Sequence, residues 1–403
     1  GMGERTIVEI ARGYDQGWSD YHFRQIPQIG YIAKKGSTRG DNVIVLNSYE
    51  ETLESKEAFV DNFNIIEREA NKLHPAKLVE PAGDSEVVIN PPFPPATTEE
   101  MDSFFDLPFT KLPHPRYKGK RIPAYDMIKF SVNIHHGCFG GCSFCTIAAH
   151  QGKFIQKRSC NSIVTEVNKL VLHPDFKGVI SDVGAPTANM YGMGGKDQNL
   201  CAKCIRKSCL FPNRCPNLSH SHQELLSLYK EIEKVKGVRK FFIGSGIRYD
   251  LFLDEKGFLD NTSSPYLKEL ILKHTSGRLK VAPEHTEDNV LKQMSKPSFK
   301  LFVRLKREFD KIVRSNGLKY QLVPYFISSH PGCRMSDMIA LSHNPDLKGD
   351  YMEQVQDFTP TPMTASSAMF YSGLDLKSKK PIFVERRQEE KKRQKSFLLR
   401  ASK

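Results

Sequence analysis

Nowhere in the 403 residues does an apolar run reach the roughly 18 residues that a transmembrane helix needs, so no membrane partner is expected. The opening Gly-Met-Gly-Glu-Arg lacks the basic segment and apolar core of a secretory signal, and no leader is expected from it. No internal repeat is visible, and no low-complexity segment apart from a charged tail. A disulfide framework is missing too. The nine cysteines are an odd number, and seven of them crowd into two tight groups. In a reducing cytosol such groups read as metal or cluster ligands, which places the protein in the cytoplasm.

The composition, 39% apolar and 26% charged, is that of an ordinary soluble globular protein. The length suits two or three domains, or one large α/β barrel with additions. The formal net charge of +13 favours polyanion partners such as RNA, or an anionic substrate. Much of the excess lies in residues 377–403, which hold eleven Lys/Arg against three Glu. The plain reading of that run is a solvated, frayed C-terminal helix; a nucleic-acid arm is the sharper one.

Residues 1–125 form a mixed α+β lead-in. Residues 6–11 read as helix with Glu4 in its first turn, 30–33 and 43–46 as strands, and 49–73 as one long helix. Residues 86–96 read as a strand that ends in prolines, which remove the amide donors a sheet needs. From 126 the pattern becomes regular. Strand-like runs at 127–134, 178–183, 239–244, 278–282, 319–327 and 353–358 alternate with helical patterns at 161–172, 222–236, 264–274, 286–315 and 335–342. Alternation of this kind gives parallel strands joined by helical crossovers, in either an open doubly wound sheet or a partial barrel. The expected organisation is therefore a lead-in over 1–125, an α/β unit over 126–375 with a Cys-rich insertion at 190–220, and a basic tail over 376–403.

Directly after the first of these strands comes Ile134-His135-His136-Gly137-Cys138-Phe139-Gly140-Gly141-Cys142-Ser143-Phe144-Cys145, with spacing C-x3-C-x2-C. Loops at the C-terminal ends of parallel strands are where α/β folds place their chemistry. Three thiolates are one short of a closed set. In a 4Fe–4S cluster held by three Cys one iron stays open to a ligand, and the amino and carboxylate groups of S-adenosylmethionine suit it. The glycines let the loop wrap a bulky cluster, and Phe144 suits the adenine side of the cofactor. The competing reading is a structural zinc completed by His135, His136 or His150.

These residues resemble the radical SAM superfamily. More closely, the chain resembles the YgiQ-type family through His136-Gly-Cys-Phe-Gly-Gly-Cys-Ser-Phe-Cys145, Asp182-Val-Gly-Ala-Pro-Thr-Ala-Asn189, Cys209-Leu-Phe-Pro212, Cys215-Pro-Asn-Leu218, Ser245-Gly-Ile-Arg-Tyr-Asp250, Lys280-Val-Ala-Pro-Glu-His285, Leu322-Val-Pro-Tyr-Phe-Ile-Ser-Ser-His-Pro-Gly-Cys333 and Gln354-Val-Gln-Asp-Phe-Thr-Pro-Thr-Pro362. The resemblance implies a partial (β/α)6 TIM-like barrel of the radical SAM type, preceded by a larger N-terminal domain. Gly1-Met2-Gly3-Glu4 looks like the turn near the end of such a domain, so the chain is expected to be N-terminally truncated. Two departures stand out. Ala185 occupies a position where the family leads one to expect Gly. Residues 338–350, with Pro345 and Gly349, read as a shortened helix and loop before the last strand.

Further site candidates follow the other strands. Gly184, Ala185 and Pro186 are expected to face the cofactor's amino group. Ser245 and Arg248 follow the third strand, where Arg248 suits a cofactor or substrate carboxylate, or else pairs with Asp250. Glu284 and His285 follow the fourth and suit ribose hydroxyls or a proton relay. His330 follows the fifth, as a pocket wall or a simple turn. The second cysteine group, Cys201, Cys204, Cys209 and Cys215, has the makings of a closed site for zinc or a second iron–sulfur cluster, with His220 and His222 as alternative ligands. Cys160 and Cys333 read as unliganded.

The function expected is a radical SAM enzyme that cleaves S-adenosylmethionine to a 5′-deoxyadenosyl radical, acting on RNA or protein. An external electron donor such as flavodoxin or ferredoxin is the expected partner. A zinc-stabilised, non-catalytic RNA-binding module and an electron-transfer iron–sulfur protein are the competing classes.

Overall fold

The computed structural model describes residues 2–348 and 354–400. The regular half of the chain forms six parallel strands taken in sequence order. Ser131–Asn133 pairs with Asp182–Gly184, and the earlier half of that second strand, Val179–Ile180, pairs with Lys240–Phe241. The third strand reaches the fourth through a parallel bridge between Ile247 and Val281. Arg278–Glu284 then pairs with Gln321–Ser328, and that strand with Gln354–Asp357. Among the described residues no ladder joins the first strand to the sixth, so the barrel is open on one side. This is the partial (β/α)6 barrel implied by the resemblance. The doubly wound alternative fails because the strands follow one another around the sheet without the reversal of order that such a fold requires.

Five crossover helices back the strands: Cys160–Val171, Gln223–Glu233, Ser263–Lys273, Phe299–Ser315 and Met335–Ser342. Each carries an apolar stripe at helical period. On Phe299–Ser315 that stripe is Phe302, Leu305, Phe309, Ile312 and Val313, all buried. Each such side chain stabilises the barrel by about 1.5–3 kcal/mol on burial. Arg158 bolts the first strand to its helix. It is 1% exposed, pairs with Glu166, donates to Asn133 O at 2.8 Å and lies over the Phe105 ring of the lead-in.

The lead-in is a four-stranded sheet, ordered Gly30–Lys34, Ser85–Ile89, Lys77–Ala82, Val43–Val45, with helices beside it. The long helix expected over 49–73 is two helices, Tyr49–Glu54 and Lys56–Ala70. Ser55, extended at φ −120°, caps the second by accepting from Ala58 N. The run at 127–134 begins as the helix Pro123–Ile128, started by a proline at its first position. The pattern at 286–315 also breaks in two, Asp288–Gln293 and Phe299–Ser315, because Pro297 and the Ser298 cap interrupt it. Helix Lys56–Ala70 packs Phe59 and Phe63 on Ala365, Ala368 and Leu376, docking the lead-in onto the barrel. The shortened helix before the last strand is present as Met335–Ser342. Gly349, Asp350 and the start of the run at 353 lie outside the described residues.

The expectation of a solvated tail is wrong for the described part of it. Helix Gln388–Arg400 packs against Met335–Ser342 and the last two strands. Lys391, Gln394 and Leu398 recur at helical spacing and are buried, while Lys392 and Arg393 face solvent. Gln394 Oε1 accepts from Ser329 N and Oγ, each at 3.1 Å, and Lys391 Nζ donates to Phe358 O at 2.9 Å. Leu398→Ala is expected to cost about 2–5 kcal/mol, and Lys392→Ala less than about 0.5 kcal/mol. Chemical denaturation of the two variants would check this; equal, small losses would mean that the helix does not belong to the core.

Candidate active site

The cysteine loop leaves the first strand at the C-terminal mouth of the barrel. It has little regular structure, and distant segments fix its path. Cys138 N donates to Gly152 O at 3.1 Å, Ser143 N to Met294 O at 3.0 Å, and Ser366 N to Ser143 O at 2.8 Å. Gly141 has φ +63°, and a Cβ there would collide with Ser208, so only glycine serves at that turn. Cys138, Cys142 and Cys145 are half-buried and free of disulfides. Burial pushes the Cys138 thiol up, and Cys145 up to about 12. At neutral pH these are thiols until a metal takes the proton's place.

The donor chemistry fits a cubane cluster with one open iron. Three thiols belong to one loop, one short of a closed set. Among the described residues no three of these sulfurs approach within 4.8 Å of one another, too wide for the contact of thiolates round a single zinc. His135 does not complete a zinc site. Its ring is fully buried, with Nε2 3.1 Å from Thr187 O and Nδ1 3.2 Å from His136 O. Thr187 Oγ1 lies 3.4 Å from Cys138 Sγ, a hydroxyl set beside a ligand sulfur. A cavity of about 50 Å³ reaches Cys142 and Cys145, bounded by Glu67, Lys207 and Thr364.

Of the two expectations for Arg248, the structure shows the pair with Asp250. Its Nε and Nη2 grip Asp250 at 3.0 and 2.5 Å, and Nη1 donates to Cys142 Sγ at 3.2 Å. The fork is spent on Asp250, so a bidentate grip on a cofactor carboxylate is not open to it. Ser245 is also engaged. Its hydroxyl donates to Asp182, whose other oxygen accepts Gly244 N at 2.7 Å and Ser245 N at 3.1 Å. This tie holds the ends of the second and third strands together. Gly184 lies under it, where a Cβ would collide with both side chains. Its carbonyl already accepts from Ile134 N at 2.9 Å. Ala185 is buried and Pro186 half-buried beside this turn.

Glu284 ends the fourth strand with φ +70° and is 6% exposed, its carboxylate 3.6 Å from Lys296 Nζ. Burial raises its pKa. Its position suits an acceptor for ribose hydroxyls. Burial lowers His285 to about 3 and His330 to about 4, so both rings are neutral and neither is poised to relay a proton at neutral pH. His285 Nε2 lies 3.6 Å from the Cys333 sulfur. His330 backs the loop. Its Nε2 lies 2.6 Å from Ser366 Oγ, which donates to Ser143 Oγ at 2.9 Å, and its ring meets Phe144 edge-on at 6.2 Å. Sequence reasoning missed Thr187, Lys296 and Ser366. Thr187 directly follows Pro186, so its motif was the available signal; Lys296 and Ser366 are joined to the site by long-range contact, for which spacing in the chain carries no signal.

His222 and His220 are not ligands of the second cysteine group. His222 is buried and stacks on Tyr266 at 4.2 Å, and His220 faces Asp260 at 3.6 Å. Cys160 opens the first crossover helix and Cys333 is buried near Gln394, both apart from the two groups.

The family profile described as "Radical SAM N-terminal" matches residues 1–131, and one described as "Domain of unknown function (DUF3362)" matches 353–401. A UPF0313 protein of Bacteroides thetaiotaomicron is 49% identical over 98% of this chain and 66% of its own length. One from Porphyromonas gingivalis is 48% identical over 98% of this chain and 63% of its own. The chain thus spans just under two thirds of the relatives it matches. Among solved structures, the cobalamin-dependent S-adenosylmethionine radical enzyme OxsB, apo and selenomethionine-labelled, aligns at 13% identity over 99% of this chain and 46% of its own, with a TM-score of 0.41. The radical S-adenosylmethionine methyltransferase TsrM from Kitasatospora setae, with cobalamin and a [4Fe-4S] cluster bound, aligns at 14% identity over 60% of this chain and 40% of its own, with a TM-score of 0.38. By sequence along nearly its whole length, the chain belongs to the UPF0313 family of radical SAM proteins, the YgiQ-type family that its motifs resemble.

Proposed function

We propose that the protein is a radical SAM enzyme whose Cys138, Cys142 and Cys145 hold a 4Fe–4S cluster. The observation that carries this reading is an open set of three thiols at the mouth of a parallel barrel, in a chain of this family. When bound, that cluster and S-adenosylmethionine on its open iron supply a 5′-deoxyadenosyl radical by one-electron reductive cleavage.

The protein's own residues position and shield. Arg248 donates to Cys142 Sγ, and Thr187 lies beside Cys138. Donors on ligand sulfurs stabilise the negative charge that builds on them. Asp250 fixes the fork of Arg248, so the donor cannot swing away. Glu284 accepts ribose hydroxyls at the end of the fourth strand. Phe144 covers the adenine side of the cofactor, and His330 behind it holds that ring in place. The side of Gly184, Ala185 and Pro186 offers backbone polar groups to the amino group. A one-electron donor such as flavodoxin or ferredoxin completes the system. The substrate class is RNA or protein, with the net charge of +13 favouring RNA.

The first expected outcome is 5′-deoxyadenosine from the anaerobically reconstituted chain with dithionite and S-adenosylmethionine, and none from Cys142→Ala. An intact four-iron cluster without product would sink the reading. The second concerns Arg248. Arg248→Met leaves Asp250 charged and buried and is expected to cost about 3–5 kcal/mol. Arg248→Met with Asp250→Leu is expected to recover most of that stability while cleavage stays slow. Full recovery of the cleavage rate in the double variant would show that Arg248 serves the fold alone. Loss of deuterium from a labelled RNA carbon in turnover tests the substrate class; loss only from a labelled protein would replace RNA.

A further inference from the structure

The insertion that carries the second cysteine group has little core of its own. Gly194–Gly195 and Leu218–Ser219 pair to close its neck, and the short helix Gln198–Ala202 carries Cys201. Within it the backbone folds the cysteines toward one another. Cys204 N donates to Cys201 O at 3.1 Å, and Cys215 N to Cys209 O at 2.7 Å. All four thiols are half-buried and free, and Cys209 lies within electrostatic reach of the other three.

Lys153 supplies a second, independent observation. It comes from outside the insertion and is 3% exposed. Its ammonium donates to Arg206 O at 2.7 Å and lies 3.8 Å from Cys204 Sγ. Among the described residues it has no carboxylate partner. A buried ammonium without a counter-charge is strongly unfavourable. Four metal-bound thiolates supply that counter-charge. Asn217 adds an amide donor, with Nδ2 3.4 Å from Cys201 Sγ, of the kind that sets cluster potentials.

Spacing bears on which metal. Zinc–sulfur bonds of about 2.3 Å in a tetrahedron bring every pair of sulfurs to about 3.8 Å. Among the described residues no three of these four sulfurs all lie within 4.8 Å of one another, which favours a cubane over a single zinc. The site also abuts the first loop. Cys209 N donates to Phe139 O at 3.0 Å, Ser208 Oγ to Gly140 O at 2.8 Å, and Phe139 shares an apolar cluster with Cys138, Cys209 and Cys215.

We propose that Cys201, Cys204, Cys209 and Cys215 ligate a second four-iron cluster, closed on all four corners, with Lys153 as its buried counter-charge. With no open iron it does not bind substrate, unlike the first site. The proposal does not rest on cleavage of S-adenosylmethionine.

The test is metal content after anaerobic reconstitution of the full chain with iron and sulfide. Wild type is expected to hold about eight irons, and the Cys138→Ala/Cys142→Ala/Cys145→Ala variant about four, with a four-iron Mössbauer spectrum. That variant cannot run the radical reaction, so its iron reports on the second site alone. In the same background, Lys153→Met is expected to lower the reduction potential of the remaining cluster, because a positive charge beside it is gone. About one zinc and no iron in the triple variant, or no metal at all, would overturn the proposal. So would an unchanged potential on loss of Lys153, for the counter-charge part.

Discussion

A loop of three cysteines has no ladder or helix to hold it, so its geometry is borrowed from the elements around it. In this protein the loan comes from several directions. The 152 carbonyl takes the amide of Cys138, the 294 carbonyl takes that of Ser143, and Ser366 gives its own amide to the Ser143 carbonyl. Ser143 Oγ also donates to Gln293 O at 2.6 Å. These bonds tie the loop to the region after the fourth strand and to the helix Ala365–Ser372 after the sixth. The barrel is open between its first and last strands, and this is where the loop bridges the gap. The geometry of the loop therefore depends on segments that follow the first, fourth and sixth strands, which links it to both ends of the barrel.

Charge burial follows the same logic. Arg248 and Asp250, Glu284 and Lys296, and Arg158 and Glu166 are pairs of opposite sign in surroundings with little water. Such pairs add little net stability, since desolvation offsets most of the attraction. What they add is position. A guanidinium gripped by Asp250 on two nitrogens has its third direction fixed, and that direction is Cys142. The neutral His285 and His330 complement this arrangement. Burial keeps both uncharged at neutral pH, so neither adds a positive charge beside Arg248.

Much of this architecture is legible in the chain. Strand and helix periods predict the parallel units, because strands and helices alternate and the buried face of each helix recurs at helical period, so burial writes itself into local pattern. The C-x3-C-x2-C spacing likewise names its loop. The illegible part is what depends on a partner far away in sequence. That Arg248 turns to Cys142 rather than to open space, or that Ser366 reaches Ser143, leaves no local trace. Breaks inside helical patterns were hidden for a related reason. Ser55 continues an acceptable helix composition, and only its capping of Ala58 shows that one helix ends there and another begins.

The C-terminal helix shows how a composition argument misleads. Its charge density suggests a solvated segment, but burial is decided by one face and not by the average. Lys391, Gln394 and Leu398 fall on a single stripe and are buried, although two of the three are polar. The helix docks through a glutamine accepting from both donors of Ser329, a lysine whose ammonium donates to Phe358 O, and the apolar pair Phe397 and Leu398. Ser329 has φ +59°, an unfavourable backbone for a side chain, and the bonds to Gln394 hold it there. The residue after it is His330, which backs Phe144. A helix at the far end of the chain thereby sets the turn on which one wall of the candidate site is built.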